Sequence, residues 1–457
     1  TLGDGFYDEV SPALFPKHEL RFRNQRSADR VGLGALDPDE WEAHFARFEP
    51  LPENLEKPLA LRYHGHQFDA YNPNLGDGRG FLFAQLEDDR GRLLDLGTKG
   101  SGTTPWSRGG DGRLTLKGGV REVLATEMLE ALGVNTSKSL SLFETGEALM
   151  RGDEPSPTRS SVLVRLSHSH VRFGTFQRLA HEGDKGRLDR LLSYSIANYF
   201  PALEGGPDRV TRFLAEVTRA NAALAASYWV AGFVHGVLNS DNMTITGESF
   251  DYGPYRFLPT FDLDFVAAYF DHQGLYAFGH QPRAVFRNLL RLAEALRPLE
   301  PQLAVDSVLS EFEAVMEAET SRKLLARLGL KPNGDTDPAL LAAVYAFLDE
   351  SDVGHDRFFF DLYGGLDRES RALSGETRDA YAGSSWKALR TILELYEKAA
   401  SSVPAYFEGT GPCTLLIDEI EGIWTSIAEK DDWSPFDEKI RSIRQFGALS
   451  AFTPPRG

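Results

Sequence analysis

His235-Gly-Val-Leu-Asn-Ser-Asp-Asn-Met243, followed by Asp251-Tyr-Gly253, is the stretch on which the reading of this chain turns. Asn242 and Asp251 both present oxygen donors, the kind that a hard divalent cation such as Mg²⁺ prefers. An aromatic residue and a glycine follow the Asp, so the carboxylate opens a tight Asp-Tyr-Gly turn. A carboxamide and a turn carboxylate in this order read as a metal–nucleotide site.

The spacing matches part of a known pattern. In the protein-kinase signature H-R-D-x-x-x-x-N followed by D-F-G, the Asn and the turn Asp hold the metal ions. Counted from His235, the Asn position falls on Asn242, and the turn is Asp251-Tyr252-Gly253. The position of the catalytic Asp is Val237, which cannot accept a proton. Either another group takes that role or the chemistry needs no strong base, and Asp241 is the only nearby carboxylate.

Composition bounds the alternatives. A chain of 457 residues, 42% hydrophobic and 25% charged, can bury a large core in two or three lobes or domains. A net charge of −18 argues against nucleic acid or an anionic membrane as the main partner, since both need a basic footprint. Cys413 is the single cysteine, so neither an intramolecular disulfide nor a Cys-rich zinc site is expected, and a reducing compartment suits the chain. No apolar run reaches the roughly 18 residues of a membrane span. The first residue is Thr1, not Met, and no targeting segment is visible, with a removed one left open; the cytoplasm is expected in a bacterium and the mitochondrion in a eukaryote. A monomer is expected.

Upstream, residues 1–60 are rich in proline and aromatics and read as an extension packed on a first lobe spanning 61–177. Leu75-Gly-Asp-Gly-Arg-Gly80 is a glycine-rich turn whose Gly76 and Gly78 would let backbone N–H groups approach phosphate, with Arg79 adding a forked donor. Phe81–Leu86 and Leu93–Lys99 read as strands joined by the Asp88–Gly91 turn, which places Lys99 late on the second strand. The loop Ser101–Arg113 carries Asp111 and Gly112 at its end and is long enough to suggest a function. Val120, Leu124, Met128 and Leu132 form one stripe of a helix over Gly119–Leu132, with Gly133 as its C-cap and Glu122 in its first turn. Glu122 is therefore a candidate ion-pair partner for Lys99. Two more strands are expected, Ser139–Phe143 and Ser161–Leu166. They lead to Arg165 and Arg172, which read as triphosphate-binding arginines around His168 and His170, a histidine pair with no third metal ligand at a recognisable spacing. From about residue 178 the chain turns helical, with helices over Asp208–Gly232, from Pro282, from Asp337-Pro338 as N-cap and first residue, and around Trp386.

Taken together, Gly65-His-Gln-Phe68, Leu75-Gly-Asp-Gly-Arg79, Ser107-Arg-Gly-Gly-Asp-Gly-Arg113, Arg121-Glu122, His170-Val-Arg-Phe-Gly-Thr-Phe176, His235-Gly-Val237, Asp241-Asn-Met243 and Asp251-Tyr-Gly-Pro254 resemble the selenoprotein O (YdiU) family, in the same order, over about residues 1–285. The resemblance implies an α+β, protein-kinase-like two-lobed fold, with an antiparallel-sheet N-lobe and a mainly helical C-lobe over 178–457. It implies AMP transfer from ATP, bound flipped relative to ordinary kinases, to hydroxyl side chains of proteins. Carried over by position, Lys99 contacts phosphate and pairs with Glu122. Gly76, Gly78, Arg79, Asp111, Gly112, Arg165 and Arg172 line the nucleotide, Asn242 and Asp251 hold Mg²⁺ or Mn²⁺, and Asp241 is the candidate proton acceptor. Many members carry selenocysteine or cysteine near the C-terminus, whereas the end of this chain, Phe452–Gly457, has neither. Two other functions stand beside this one: a kinase acting on a protein or small molecule, against which Val237 counts, and a catalytically silent ATP-binding scaffold.

Overall fold

The first third of the chain builds one sheet whose central strands are buried along nearly their whole length. The computed structural model describes residues 2–449 except residue 153, so the Phe452–Gly457 end lies outside the described residues. In chain order the strands here are β1 (Tyr7–Glu9), β2 (Glu19–Arg23), β3 (Leu59–Leu61), β4 (Gly65–Gln67), β5 (Ala70–Asn72), β6 (Leu82–Glu87), β7 (Leu93–Lys99), β8 (Leu114–Thr115), β9 (Lys138–Leu149) and β10 (Thr158–Ser167). An antiparallel sheet runs in the order β1-β3-β6-β7-β10-β9-β2, with β8 against β10, while β4 and β5 form a separate hairpin. Residues 1–60 thus supply strands to both edges of the sheet.

The expected strand over Leu93–Lys99 is β7 itself, and β6 begins one residue later than expected. β9 and β10 are much longer than the expected Ser139–Phe143 and Ser161–Leu166. Their extra length is carried by small hydroxyl residues such as Thr145 and Ser160, which are fully buried yet give no hydrophobic signal. Thr145 Oγ1 and Ser160 Oγ bond each other at 2.5 Å, so their polar atoms are satisfied inside the sheet.

Both faces of the sheet are covered. On one, α1 (Gln25–Arg30) and α2 (Pro38–Phe45) bring Trp41 and Phe45 against Phe83, Leu96 and Val164. α2 starts on a capping box between Asp37 and Glu40, with Pro38 in its first turn. On the other, α3 (Leu116–Ala131) packs Val120, Leu124 and Met128 against Leu142 and Leu163. α3 starts three residues before the expected Gly119, because the Thr115 hydroxyl caps it by accepting from Gly118 N–H. Its end is a Schellman motif: Gly133 N–H bonds Glu130 O and Val134 N–H bonds Leu129 O, which puts the expected Gly133 just past the cap.

The rest is helical. α4 (Phe173–His181), α5 (Lys185–Tyr199), α6 (Arg209–Ala231), α7 (Gln281–Leu296), α8 (Val305–Leu309) and α9 (Glu311–Leu328) pack around α6, whose long apolar face is buried. α10 (Asp337–Asp349), α11 (His355–Asp361), α12 (Glu369–Ser374) and α13 (Ser384–Leu393) enclose a second apolar cluster. Asp337 is the first residue of α10, not its cap: a 3-10 turn over Gly334–Thr336 precedes it and Thr336 takes the cap position. α14 (Ile417–Lys430) and α15 (Ser434–Gly447) return to α3, where Arg444 donates to Glu127 from both Nε and Nη2 at 2.8 Å. Among the described residues no helix is long and apolar enough to cross a membrane.

Glu127 also accepts from Arg26 Nη2 at 3.0 Å and Asn24 Nδ2 at 3.3 Å, so one buried carboxylate ties α3 to the first sixty residues and to α15. Glu127→Ala leaves these donors without a counter-charge and is expected to lower the unfolding free energy by about 2–4 kcal/mol, read from urea denaturation. An unchanged midpoint would show that α3 is held by its apolar face alone.

Candidate active site

Two short strands, β11 (Phe233–Val234) and β12 (Arg256–Phe257), pair antiparallel and close the loop between them, so His235 to Tyr255 projects as a unit toward the sheet. His235 is buried at the base of that loop, where its N–H donates to Gln281 Oε1 at 2.9 Å and its Nε2 lies 3.0 Å from Phe250 O. Burial pushes the imidazole below its ordinary range, so it is a neutral peg that holds the loop. Ser240–Asn242 is a single 3-10 turn that carries Asp241 and Asn242. Asn242 Nδ2 donates to Val237 O at 2.9 Å, which fixes the amide and leaves its oxygen without a donor among the described residues.

Lys99 is the centre of the site. Its ammonium bonds Glu122 Oε1 of α3 and, at 2.5 Å, Asp251 Oδ1. Arg165, on β10, brings Nη1 to 3.6 Å from the same Asp251 oxygen. Burial acts to raise the Asp251 carboxyl, but Lys99, Arg165, Arg172 and Arg79 outweigh it and hold the group well below the usual carboxylate range. Asp251 has a φ of +68°, a left-handed conformation that costs a non-glycine residue on the order of 1 kcal/mol and is kept only when its surroundings impose it.

A cleft of 620 Å³ opens between the sheet, the Ser101–Arg113 loop and the 235–255 loop. It is lined by Gly76, Gly78, Arg79, Lys99, Asp111, Gly112, Arg165, Arg172, Asp241, Asn242 and Asp251, so the residues singled out in the sequence come together with one exception. Glu122 sits behind Lys99, buried, and does not face the cleft. His168 and His170 are also outside the lining, and His170 Nδ1 lies 3.3 Å from the buried Asp95.

Arg172 is gripped on all sides. Its guanidinium stacks 4.2 Å from the Tyr63 ring and 4.8 Å from Phe250, donates to Asp241 O at 2.9 Å and reaches Asp77 at 3.2 Å. Yet its Nε, with Nε and Nη1 of Arg165, is buried without a protein acceptor. Asp241 Oδ1 is likewise buried and unpartnered, while Oδ2 accepts from Gln67 at 3.3 Å. Burial, opposed by Arg172, pushes the Asp241 carboxyl up to about 6.

The glycines at 76 and 78 have a packing role as well. A side chain on Gly76 would strike the Trp106 ring, and one on Gly78 would lie 2.8 Å from Trp106 O, so both permit the Ser101–Arg113 loop to close on the turn. Trp106, Arg108 and Arg151 are cleft residues that sequence reading missed. Arg108 lay inside the quoted glycine-rich loop and could have been named there. Arg151 follows the end of β9 with no motif around it, and only the fold shows that it pairs with Asp111 at 2.8 Å. In all, seven basic residues (Arg79, Lys99, Arg108, Arg113, Arg151, Arg165 and Arg172) face four acidic ones (Asp77, Asp111, Asp241 and Asp251), an excess of positive charge in a chain of net charge −18. Such a site selects a polyanion.

The model of the family "Protein adenylyltransferase SelO" matches residues 1–444. The chain belongs to the SelO family. The match extends well beyond residue 285 and takes in the helices that return to α3. A protein nucleotidyltransferase YdiU of Gloeobacter violaceus is 46% identical over 98% of this chain and 95% of its own length. One from Synechocystis is 45% identical over 97% and 96%, and one from Vibrio cholerae is 36% identical over 84% and 78%. The protein is thus a nucleotidyltransferase of the adenylyl-transferring kind, for which the family implies ATP as the nucleotide and proteins as acceptors.

One further carboxyl in this SelO-family chain lies between Asn242 and Asp251 in the sequence. Glu248 is buried, accepts from His168 N–H at 2.9 Å, and burial lifts it from an ordinary value of 4.5 to about 7. Between those values the native protein holds a proton that the unfolded chain has lost, so this contribution to stability is present at low pH and fades as pH rises through the window. Glu248→Gln keeps the acceptor and stays neutral. It is expected to raise the unfolding free energy by about 1–3 kcal/mol at pH 8 and hardly at all at pH 4.5, compared by urea denaturation at both pH values.

Proposed function

We propose that the cleft binds ATP with its β- and γ-phosphates innermost, against Lys99, Arg165 and Arg172, and transfers AMP to a Ser, Thr or Tyr hydroxyl of a protein. The observation that supports this most is the pair of buried guanidiniums with N–H groups that no protein atom accepts. A buried donor left unpaired is costly, and three of them on two guanidiniums near Lys99 fit a ligand rich in anionic oxygens. Donors at the closed end of the cleft would hold the pyrophosphate as it leaves, and so stabilise the charge that develops there.

On this reading the sheet-bearing part, 61–177 with 1–60 packed on it, is the N-lobe of a kinase-like fold and 178–457 the C-lobe. Among the described residues Asn242 Oδ1 and Asp251 Oδ2 accept no hydrogen bond, and two free hard oxygens fit Mg²⁺ or Mn²⁺ completed by phosphate and water. A divalent cation there supplies charge neutralisation of the phosphates. The acceptor oxygen attacks the α-phosphorus, the bond to the β-phosphate oxygen breaks, and the hydroxyl proton passes to Asp241. The unpartnered Oδ1 of Asp241 is the free acceptor, and its raised affinity for a proton suits a base working near neutrality. Val237 offers no alternative.

ATP labelled at the α- or the γ-phosphate separates the readings. Protein-bound label is expected from the α sample alone, and label from the γ sample alone would make the protein a kinase. Asp251→Ala is expected to abolish transfer. Lys99→Ala should cost at least about a hundredfold in rate, against little for Lys138→Ala at the start of β9, outside the cleft. Asp241→Asn should cost roughly a hundredfold, and a loss under about threefold would remove it as the base.

A further inference from the structure

The hairpin of β4 and β5 breaks a local rule. Gln67 pairs with Ala70, so Phe68 and Asp69 form a two-residue turn, and both have positive φ, +47° and +66°. A turn of this kind favours Asn-Gly, and a bulky aromatic in its first position is strained. Asp69 has a fold-level use: its carboxylate is held by Arg287 and, at 2.5 Å, by Arg291 of α7. One side of the Phe68 ring rests on the buried Tyr276, 5.1 Å away, while 38% of the residue stays exposed. Strain kept at a surface residue points to function.

Phe68 does not stand alone. Its ring is 5.8 Å from Phe270, which is 5.1 Å from Tyr269, and these two are 42% and 78% exposed. The cluster adjoins the transfer site on two sides. Gln67, the residue before Phe68, donates to Asp241, and Phe68 N–H donates to Asn239 Oδ1. Ala267 and Pro254 both pack on Gly236, so the segment leading to Tyr269 runs beside the loop of Asp241 and the turn of Asp251. Gly65, at the start of the hairpin, admits this closeness, because a side chain there would lie 2.8 Å from Asp241 Oδ1.

We propose that Phe68, Tyr269 and Phe270 form the ledge on which the protein substrate docks, as an extended segment with an apolar side chain within about four residues of the acceptor hydroxyl, at ~3.3 Å per residue. The inference rests on transfer to a protein hydroxyl. The occupant is a polypeptide because the ledge is continuous with the base and the family acts on proteins. Burying an apolar side chain against three rings gives the affinity, and its distance from the hydroxyl selects the acceptor.

The test uses the full chain, α-labelled ATP and synthetic peptides with one central Ser, Thr or Tyr and a single Leu or Phe moved through the flanking positions. Labelling is expected to peak at one or two positions of the apolar residue. Tyr269→Ala with Phe270→Ala should flatten that preference and raise KM for the best peptide roughly tenfold, with kcat and the Kd for ATP unchanged. Phe68→Asn should do the same with the chain still folded, because Asn tolerates the left-handed turn and so offsets the loss of the ring's packing on Tyr276. Labelling with no positional preference, or variants with unaltered KM, would overturn the ledge and leave adenylyl transfer standing. Variants that instead convert a dimer to a monomer in sedimentation would reassign the ledge as a contact between copies. No α label on any peptide, with label absent from the protein itself, would overturn both readings.

Discussion

Everything around the cleft is referred to one ammonium group. Lys99 is buried at the end of β7, and its two anionic partners come from α3 and from the loop closed by β11 and β12. Taking charges out of water is costly, and the arrangement is tolerable because Glu122 and Asp251 are matched by Lys99 and Arg165. Any displacement of α3 or of the Asp251 turn would leave a buried charge uncompensated. The same ion pairs also keep Asp251 in a left-handed conformation that the backbone would not choose. The sheet, the helix and the loop are therefore locked at one place, and the lock is electrostatic.

That lock is braced from outside. Glu127, about 1.4 turns along α3 from Glu122, is tied to Arg26 on one side and Arg444 on the other. Arg159 on β10 adds a second tie, donating to Asp431 past the end of α14 at 2.8 Å and to Glu144. The terminal regions thus set the position of α3. This gives a physical reason why the family match spans residues 1–444 and not only the loops that carry chemistry.

The parts of this fold legible in the sequence were those whose signal is local. β7, the stripe of α3 and the Asp-Tyr-Gly turn rest on periodicity and turn chemistry within a few residues. The lengths of β9 and β10 were not legible, because buried serines and threonines satisfied across the sheet look like surface residues in one dimension. At the site, residues named from motifs converge on one cleft, while Arg151 was invisible because no motif surrounds it and its partner Asp111 is far away in sequence. Glu122 shows the converse: its spacing from Lys99 suggested the pair, but nothing in the sequence said that it stands behind the lysine and out of the cleft.

The position of the acid is the sharpest difference from a kinase-type loop. The residue two after the histidine is Val237, and the carboxylate appears at Asp241 on the 3-10 turn. That turn is not free to move. Arg172 donates to Asp241 O, its ring neighbours Tyr63 and Phe250 fix the guanidinium, and Ser240 accepts from His66 N–H while donating to Gln177. On the proposed mechanism, the group that takes the proton and a group that grips phosphate are thereby joined by one hydrogen bond to the backbone of Asp241. On that mechanism a base that shifts drags the phosphate grip with it, and a nucleotide that satisfies Arg172 also sets the height of Asp241, so occupancy by the polyanion and readiness of the base are parts of the same geometry.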